Sequence, residues 1–158
     1  KSSTTKLISN DALQMALLIS DNSTEDTLFQ GLSYYAKADL YQFRNMPDSA
    51  IATLNLLLAV FPEHAIKAEA MLLQANLYYK KGQFTDAINT LNSMIANSTD
   101  VWTDDALMLL GDIYANRLGD KENAMKKKKK ILFEHPGSTF VPEARRQYRA
   151  LRGDNLDN

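Results

Sequence analysis

Five consecutive lysines, Lys126–Lys130, are the densest group of chemically active side chains in the sequence. A run of ammonium groups can neutralise the phosphates of a nucleic acid or meet an anionic surface. The formal net charge of the chain is −1, however, whereas a nucleic-acid-binding domain is typically basic overall. We therefore expect no nucleic-acid partner, and keep nucleic-acid binding through Lys126–Lys130 as a minor alternative.

The other polar residues form no recognised catalytic or metal-binding pattern. The sequence has no glycine-rich phosphate loop, no Gly-x-Ser-x-Gly elbow and no His-Glu-x-x-His helix. His64 and His135 are not spaced as metal ligands, and the absence of cysteine excludes disulfides and thiol chemistry. The paired acids Asp104 and Asp105 fit the first turn of a helix, where carboxylates are favoured by the helix dipole. We expect no catalysis, metal or cofactor.

Apolar residues recur three and four positions apart along most of the chain, which is the period of an α-helix. Four of the six glycines and all four prolines fall between these stretches or at their ends. The pattern predicts an all-α chain of about eight helices, at 10–20, 24–44, 48–60, 65–81, 84–96, 102–117, 121–134 and 142–152. No apolar run approaches the roughly 18 residues of a membrane span, so we expect no membrane insertion.

The predicted helices repeat in pairs, counted from Tyr41, Tyr78 and Tyr114, which are spaced by 37 and 36 residues. Three positions before the tyrosines lie Ala38, Ala75 and Gly111. Nine or ten positions after them lie Ala50, Ala87 and Ala124, followed four residues later by Leu54, Leu91 and Lys128. Antiparallel helices approach closely only where one presents a small side chain. Each pair is therefore a hairpin that must stack on its neighbours to cover its apolar side.

This pattern resembles the tetratricopeptide repeat, whose usual period is about 34 residues. The resemblance implies a right-handed superhelix, an α-solenoid of antiparallel helix hairpins, within a single domain 1–158. Its parts are a half repeat 9–22, three hairpins 23–62, 63–99 and 100–136, and a C-terminal capping helix with its tail, 137–158. The tail and the repeat style also resemble bacterial cell-envelope proteins of this family, so a periplasmic or envelope location is the expectation.

Lys128 occupies the slot in which the first two hairpins have Leu54 and Leu91. We expect its aliphatic stem to pack against apolar neighbours while its ammonium group reaches water. The other four lysines of the run are expected on the solvated side of the same helix.

The resemblance further implies a non-catalytic protein–protein interaction scaffold that receives a peptide or partner helix in a concave groove. The predicted groove residues are Tyr35, Asp39, Gln42, Glu69, Leu72, Asn76, Tyr79, Asp105, Met108, Asp112 and Ala115. Tyr35, Leu72, Tyr79 and Met108 are expected to converge on this surface as anchors, and Asp39 and Asp112 to favour partners that carry lysine or arginine.

An alternative is a recruiting or regulatory segment of a larger envelope-assembly protein or enzyme, with the catalytic part outside this chain. The chain begins at Lys1 rather than at methionine, as a processed product or a piece of a longer protein would.

Overall fold

The described part of the chain consists of α-helices joined by short turns. The computed structural model describes residues 27–96 and 101–154, and within these ranges it contains seven helices and no strand. The helices are α1 (Thr27–Phe43), α2 (Pro47–Val60), α3 (Lys67–Lys80), α4 (Phe84–Ala96), α5 (Thr103–Asn116), α6 (Lys121–Glu134) and α7 (Val141–Arg152). The predicted all-α class is confirmed. The predicted helix 10–20 and the half repeat 9–22 lie outside the described residues.

The first helix of each hairpin is followed, two or three residues after its last residue, by a residue with a left-handed backbone. These residues are Asn45, Gly82 and Gly119, with φ values of 56°, 75° and 64°. The next amide in each case donates to the carbonyl of the repeating tyrosine: Met46 to Tyr41, Gln83 to Tyr78, and Asp120 to Tyr114. These bonds satisfy carbonyls that a helix leaves open at its C-terminus. The third turn contains one more residue than the others, which is why Ala124 follows its tyrosine by ten positions.

Specific residues also set where the second helices begin. Pro47 is the first residue of α2, a position where the missing N–H has no intrahelical partner to lose. Asp120 precedes α6, and its Oδ1 accepts a hydrogen bond from the Asn123 amide at 3.0 Å. Its Oδ2 accepts a second bond from Asn123 Nδ2 at 2.7 Å. Asp120 is therefore the N-cap of α6.

Packing divides the chain into two compact units, one ending at Leu77 and the other beginning at Tyr78, within α3. In the first unit α1 packs against α2. Ala38 on α1 and Ala50, Leu54 and Leu57 on α2 are fully buried. The buried alanines lie at the repeat positions where close helix approach was predicted. The division of a single domain into three hairpins and a cap remains a prediction.

In the second unit, α5 packs against α4 and α6, and α6 packs against α7. Leu107 and Met108 of α5, Ile131 of α6 and Ala144 of α7 form one buried cluster. Because this cluster joins three helices, it fixes the neighbouring faces of α5, α6 and α7 relative to one another.

We predict that Asp120→Ala lowers the urea midpoint of unfolding at pH 7, whereas Asp120→Asn retains most of it because the amide oxygen can accept the same bond. The hydrogen bonds from Asn123 lower the pKa of Asp120 below its ordinary value of 3.8. Its contribution to stability is therefore present above pH 3.8 and is lost as the pH falls through the lowered pKa. Equal midpoints for the alanine and asparagine variants at pH 7 would contradict the capping role.

Candidate functional site

Lys128 lies inside the second unit, with 1% of its surface exposed. Its Nζ donates to the Met108 carbonyl at 3.1 Å, to Met108 Sδ at 3.6 Å and to Asp112 Oδ1 at 2.7 Å. These three contacts match the three protons of an ammonium group. The predicted position in the apolar slot is confirmed. The expectation that the ammonium reaches water is wrong, because polar groups of α5 replace the water.

Gly111 provides the space that Lys128 occupies. A Cβ at this position would lie 2.6 Å from Lys128 Cε and 3.0 Å from its Nζ. The equivalent residues of the first two hairpins are Ala38 and Ala75, which are fully buried. Since a lysine is longer than the leucine of those hairpins, the third hairpin needs glycine where they have alanine.

A pocket of about 390 Å³ lies beside this ion pair, between α5, α6 and α7. It is lined by Asp112, Ala115, Asn116, Lys121, Lys128, Arg146, Gln147, Ala150 and Leu151. Ala115, Ala150 and Leu151 give it an apolar wall, and the other residues carry amide or charged groups. Pockets that bind small ligands have volumes of roughly 300–1,000 Å³, so this one suits a short segment rather than a whole helix.

Three residues of α7 form a hydrogen-bonded group at the pocket. Arg146 Nε donates to Glu143 Oε2 at 2.9 Å, and a second guanidinium nitrogen donates to Oε1 at 2.5 Å. Gln147 Nε2 donates to the same Oε1 at 2.7 Å. The bonds from Arg146, and then that from Gln147, lower the pKa of Glu143 to about 2. Gln147 Oε1 is buried without a hydrogen-bond partner in the described part of the chain.

The structure places two of the predicted groove residues, Asp112 and Ala115, in this pocket. Met108 is not a surface anchor as predicted, because it is 8% exposed and belongs to the core cluster. Asp112 was predicted to favour a basic partner through its negative charge. In the structure its carboxylate is paired with Lys128, so it does not act as an isolated negative charge.

Two further groove candidates of the second unit do not line the pocket. Tyr79 is half-buried, and Arg117 Nε donates to its hydroxyl oxygen at 3.1 Å. The guanidinium carbon of Arg117 lies 5.1 Å from the Tyr79 ring centroid, and the centroid of the Phe84 ring lies 5.9 Å from it.

The second of these candidates is Asp105. Burial raises the pKa of Asp105, a hydrogen bond from its own backbone opposes this, and the charge of Asp104 adds to the rise.

The other six candidates lie in the first unit, on α1 and α3: Tyr35, Asp39, Gln42, Glu69, Leu72 and Asn76. Burial, followed by the charges of Asp39 and Glu69, raises the pKa of Tyr35, so both carboxylates lie close enough to act on its hydroxyl group. Asn76 Nδ2 donates to the Leu72 carbonyl at 2.9 Å. Partner binding by this set remains a prediction.

The sequence reading missed most of the pocket: Asn116, Lys121, Lys128, Arg146, Gln147, Ala150 and Leu151. The residues of α7 were missed because that helix was taken only as a cap. Helical spacing would have placed Arg146 with Ala150, and Gln147 with Leu151, on one face, since each pair is separated by four residues. The unusual lysine in an apolar slot was the second available signal.

The rest of the lysine run interacts with its own helix. Lys126 pairs with Glu122 at 2.8 Å, and Lys130 with Glu134 at 3.7 Å. The ammonium of Lys129 lies 5.7 Å from the Phe133 ring centroid. The predicted solvated position is confirmed for Lys126 and Lys129, which are exposed, while Lys127 and Lys130 are partly exposed.

Among residues 27–96 and 101–154, no group of three or more His, Cys, Asp or Glu side chains could hold a metal ion. None of the helices described in those ranges is long and apolar enough to span a membrane.

The sequence matches the family model of the tetratricopeptide repeat over residues 35–101 and over the overlapping residues 72–139. The chain belongs to the tetratricopeptide repeat family. Repeats of this family generally mediate protein–protein interactions and are generally non-catalytic. The match and the helix order together confirm the predicted class of all-α hairpin repeats. None of the curated proteins compared with this tetratricopeptide repeat chain matches it.

The fit between Gly111 and Lys128 predicts a strong coupling in a double-mutant cycle. Gly111→Ala places a methyl group against a lysine side chain that cannot move without losing its three acceptors, and overpacking of this kind costs about 1–3 kcal/mol. Lys128→Leu removes the clashing atoms, so Gly111→Ala in that background should be neutral or stabilising, by up to about 1 kcal/mol from helix propensity. Urea unfolding of the four proteins measures the coupling. Additivity within about 0.5 kcal/mol would contradict the proposed fit.

The bonds at Glu143 predict how its titration responds to substitution. Arg146→Ala should raise the pKa of Glu143 from about 2 toward its ordinary 4.5, because the carboxylate loses its main donor and nearby positive charge. The matched control is Arg145→Ala, which removes an exposed arginine from the same helix and should leave that pKa low. NMR titration of the Glu143 carboxyl carbon measures both. An unchanged pKa in Arg146→Ala would show that the bidentate pair does not form.

Proposed function

We propose that this chain is a non-catalytic protein-interaction scaffold that binds a segment of a partner protein in the pocket between α5, α6 and α7. The observation that carries the proposal is the pocket itself, which combines an apolar wall with polar groups in a repeat family whose members generally bind proteins. Peptide-binding surfaces use this combination, since apolar contacts supply affinity and a few placed polar groups fix orientation.

The polar groups suit the backbone of an extended segment. Lys128 holds Oδ1 of Asp112, and the Asp112 side chain is 37% exposed. The second carboxylate oxygen of Asp112 can therefore accept a hydrogen bond from an N–H of the partner. The Asn116 amide can donate to a carbonyl of the partner. Partner side chains would then lie against Ala115, Ala150 and Leu151. A held acceptor loses less conformational freedom on binding than a mobile one.

The first unit adds a separate contact surface to this proposal. Its members are the predicted residues Tyr35, Asp39, Gln42, Glu69, Leu72 and Asn76. What supports their inclusion is the mixture of aromatic, apolar and carboxylate groups on the first helices of successive hairpins, α1 and α3.

We further infer that the scaffold serves a larger assembly at the bacterial cell envelope. The support is the resemblance of the tail "EARRQYRALRGD" to envelope-associated members of the family. The full-length open reading frame tests this proposal. An export signal or lipid anchor ahead of Lys1 supports an envelope location, and a complete reading frame with neither feature contradicts it.

Affinity capture with this chain as bait tests the pocket. Ala150 is an exposed alanine of the pocket wall, and Ala150→Trp should fill the cavity. Capture of the specific partners should fall at least about tenfold, while the unfolding midpoint stays nearly unchanged. Ala52→Trp is the matched control, because Ala52 is an exposed alanine in the middle of α2. Equal capture by both variants, at the level of the unsubstituted chain, would contradict the pocket as the binding site.

A further inference from the structure

We infer that the pocket selects an acidic side chain within the partner segment, and that the buried Lys128 is the positioning residue that sets this preference. The inference rests on the proposed function, since it names the partner chemistry of the same pocket. Lys128 does not contact the partner in this account. It acts through Asp112, by cancelling the one negative charge that lines the pocket.

The charges around the pocket support a preference for an anion. Its lining includes three cationic side chains, Lys121, Lys128 and Arg146, against the single carboxylate of Asp112. Lys128 and Asp112 neutralise each other at 2.7 Å, and Glu143 neutralises Arg146, so the remaining positive charge of the lining is that of Lys121. Arg146 uses Nε and one terminal nitrogen for Glu143, and a guanidinium has five N–H donors in all. It can therefore bind a second carboxylate without releasing the first.

The contacts of Lys128 exclude it as a direct ligand of the partner. Its three ammonium protons already face the Met108 carbonyl, Met108 Sδ and Asp112 Oδ1, and the residue is 1% exposed. Any influence on a partner must therefore pass through the groups it holds. Of these groups, Asp112 is the one that lines the pocket and carries a charge.

The first two hairpins show what the pocket would be without this lysine. Leu54 and Leu91 occupy the equivalent slot, and Asp39 and Asn76 follow the small residue as Asp112 does. A leucine at position 128 would leave Asp112 uncompensated at the pocket wall, where it would repel an acid and attract a base. Lys128 thus reverses the preference that Asp112 alone would impose.

We assign the acid to an internal residue of the partner rather than to its chain terminus. A carboxylate by itself fills only a small part of a pocket of about 390 Å³. The residues on either side of the acid are needed to cover Ala115 on α5 and Ala150 and Leu151 on α7. An internal glutamate or aspartate has partner residues on both sides, which can cover these apolar side chains.

The test uses acetylated, amidated hexapeptides that carry glutamate, glutamine or lysine at one central position among small apolar residues. Fluorescence anisotropy should show that the unsubstituted chain binds the glutamate peptide at least about tenfold more tightly than the lysine peptide, with a smaller ratio at high salt. In Lys128→Leu the ratio should fall to about one or reverse. In Lys128→Leu with Asp112→Asn, the preference for glutamate should return, because the uncompensated carboxylate of Asp112 has been removed.

A merely structural role for Lys128 predicts a different result. All three peptides would then lose affinity by the same factor in Lys128→Leu, the ratio would stay unchanged, and Asp112→Asn would not restore binding. That outcome overturns the inference while leaving the proposed function intact. If Lys128→Leu is poorly folded, Lys128→Leu with Gly111→Ala replaces it, since this variant recreates the Ala–Leu pair of the earlier hairpins.

Three other outcomes also overturn the inference. Tighter binding of a peptide whose only acid is a free C-terminal carboxylate would show that the pocket recognises a chain end. No binding of the glutamate peptide, together with Ala150→Trp retaining all captured partners, would remove both the inference and the proposed function. The loss of partners by Ala150→Trp without any response to the glutamate peptide would remove the inference alone.

Discussion

A buried ammonium group on α6 determines how the third hairpin is built. Removing a charged group from water is costly unless hydrogen-bond partners replace the water, and Lys128 has a carbonyl, a thioether and a carboxylate in its place. Burial lowers the pKa of Lys128, while the hydrogen bond to Asp112 and its charge act in the opposite direction. The Asp112 carboxylate therefore offsets part of the cost of burying the charged lysine.

The same requirement explains the residues on the facing helix. Gly111 must lack a side chain because Lys128 Cε lies where a Cβ would be, and Asp112 must follow it to meet Nζ. A leucine at position 128 would need neither feature. Residues 111, 112 and 128 therefore form one unit, and it connects the packing of α5 against α6 with the charge of the pocket that these helices share with α7. Replacing a buried ion pair by apolar residues can be neutral for stability. A role in binding specificity is therefore a more economical explanation of this ion pair than a role in stability.

The sequence was sufficient for the helices and for the repeat, because both depend on local chemistry. Apolar spacing acts within a few positions, and so do the left-handed turn residue Gly82 and the capping residue Asp120 that the structure shows. The register also identified Lys128 as the lysine in a core slot. These features needed no knowledge of which helices become neighbours in space.

The errors share a different cause. A helical register shows which residues share a face, but not which other helix covers that face. Met108 lies one position after the buried Leu107 and was expected at the surface, yet it packs in a cluster to which α7 contributes Ala144. The ammonium of Lys128 was expected in water because the register does not show that Met108 and Asp112 of α5 would receive it. Arg146 and Gln147 were overlooked because their importance comes from facing α5 and α6 across the pocket.

The most direct measurement of the central claim is the exchange of the Lys128 ammonium protons with water, observed by ¹⁵N-detected NMR of the lysine side chains. An ammonium held by three acceptors and 1% exposed should give a distinct, slowly exchanging resonance that shifts when Asp112 is replaced by asparagine. A Lys128 ammonium that exchanges as fast as that of the exposed Lys126 would show that the buried ion pair does not form, and would contradict the account.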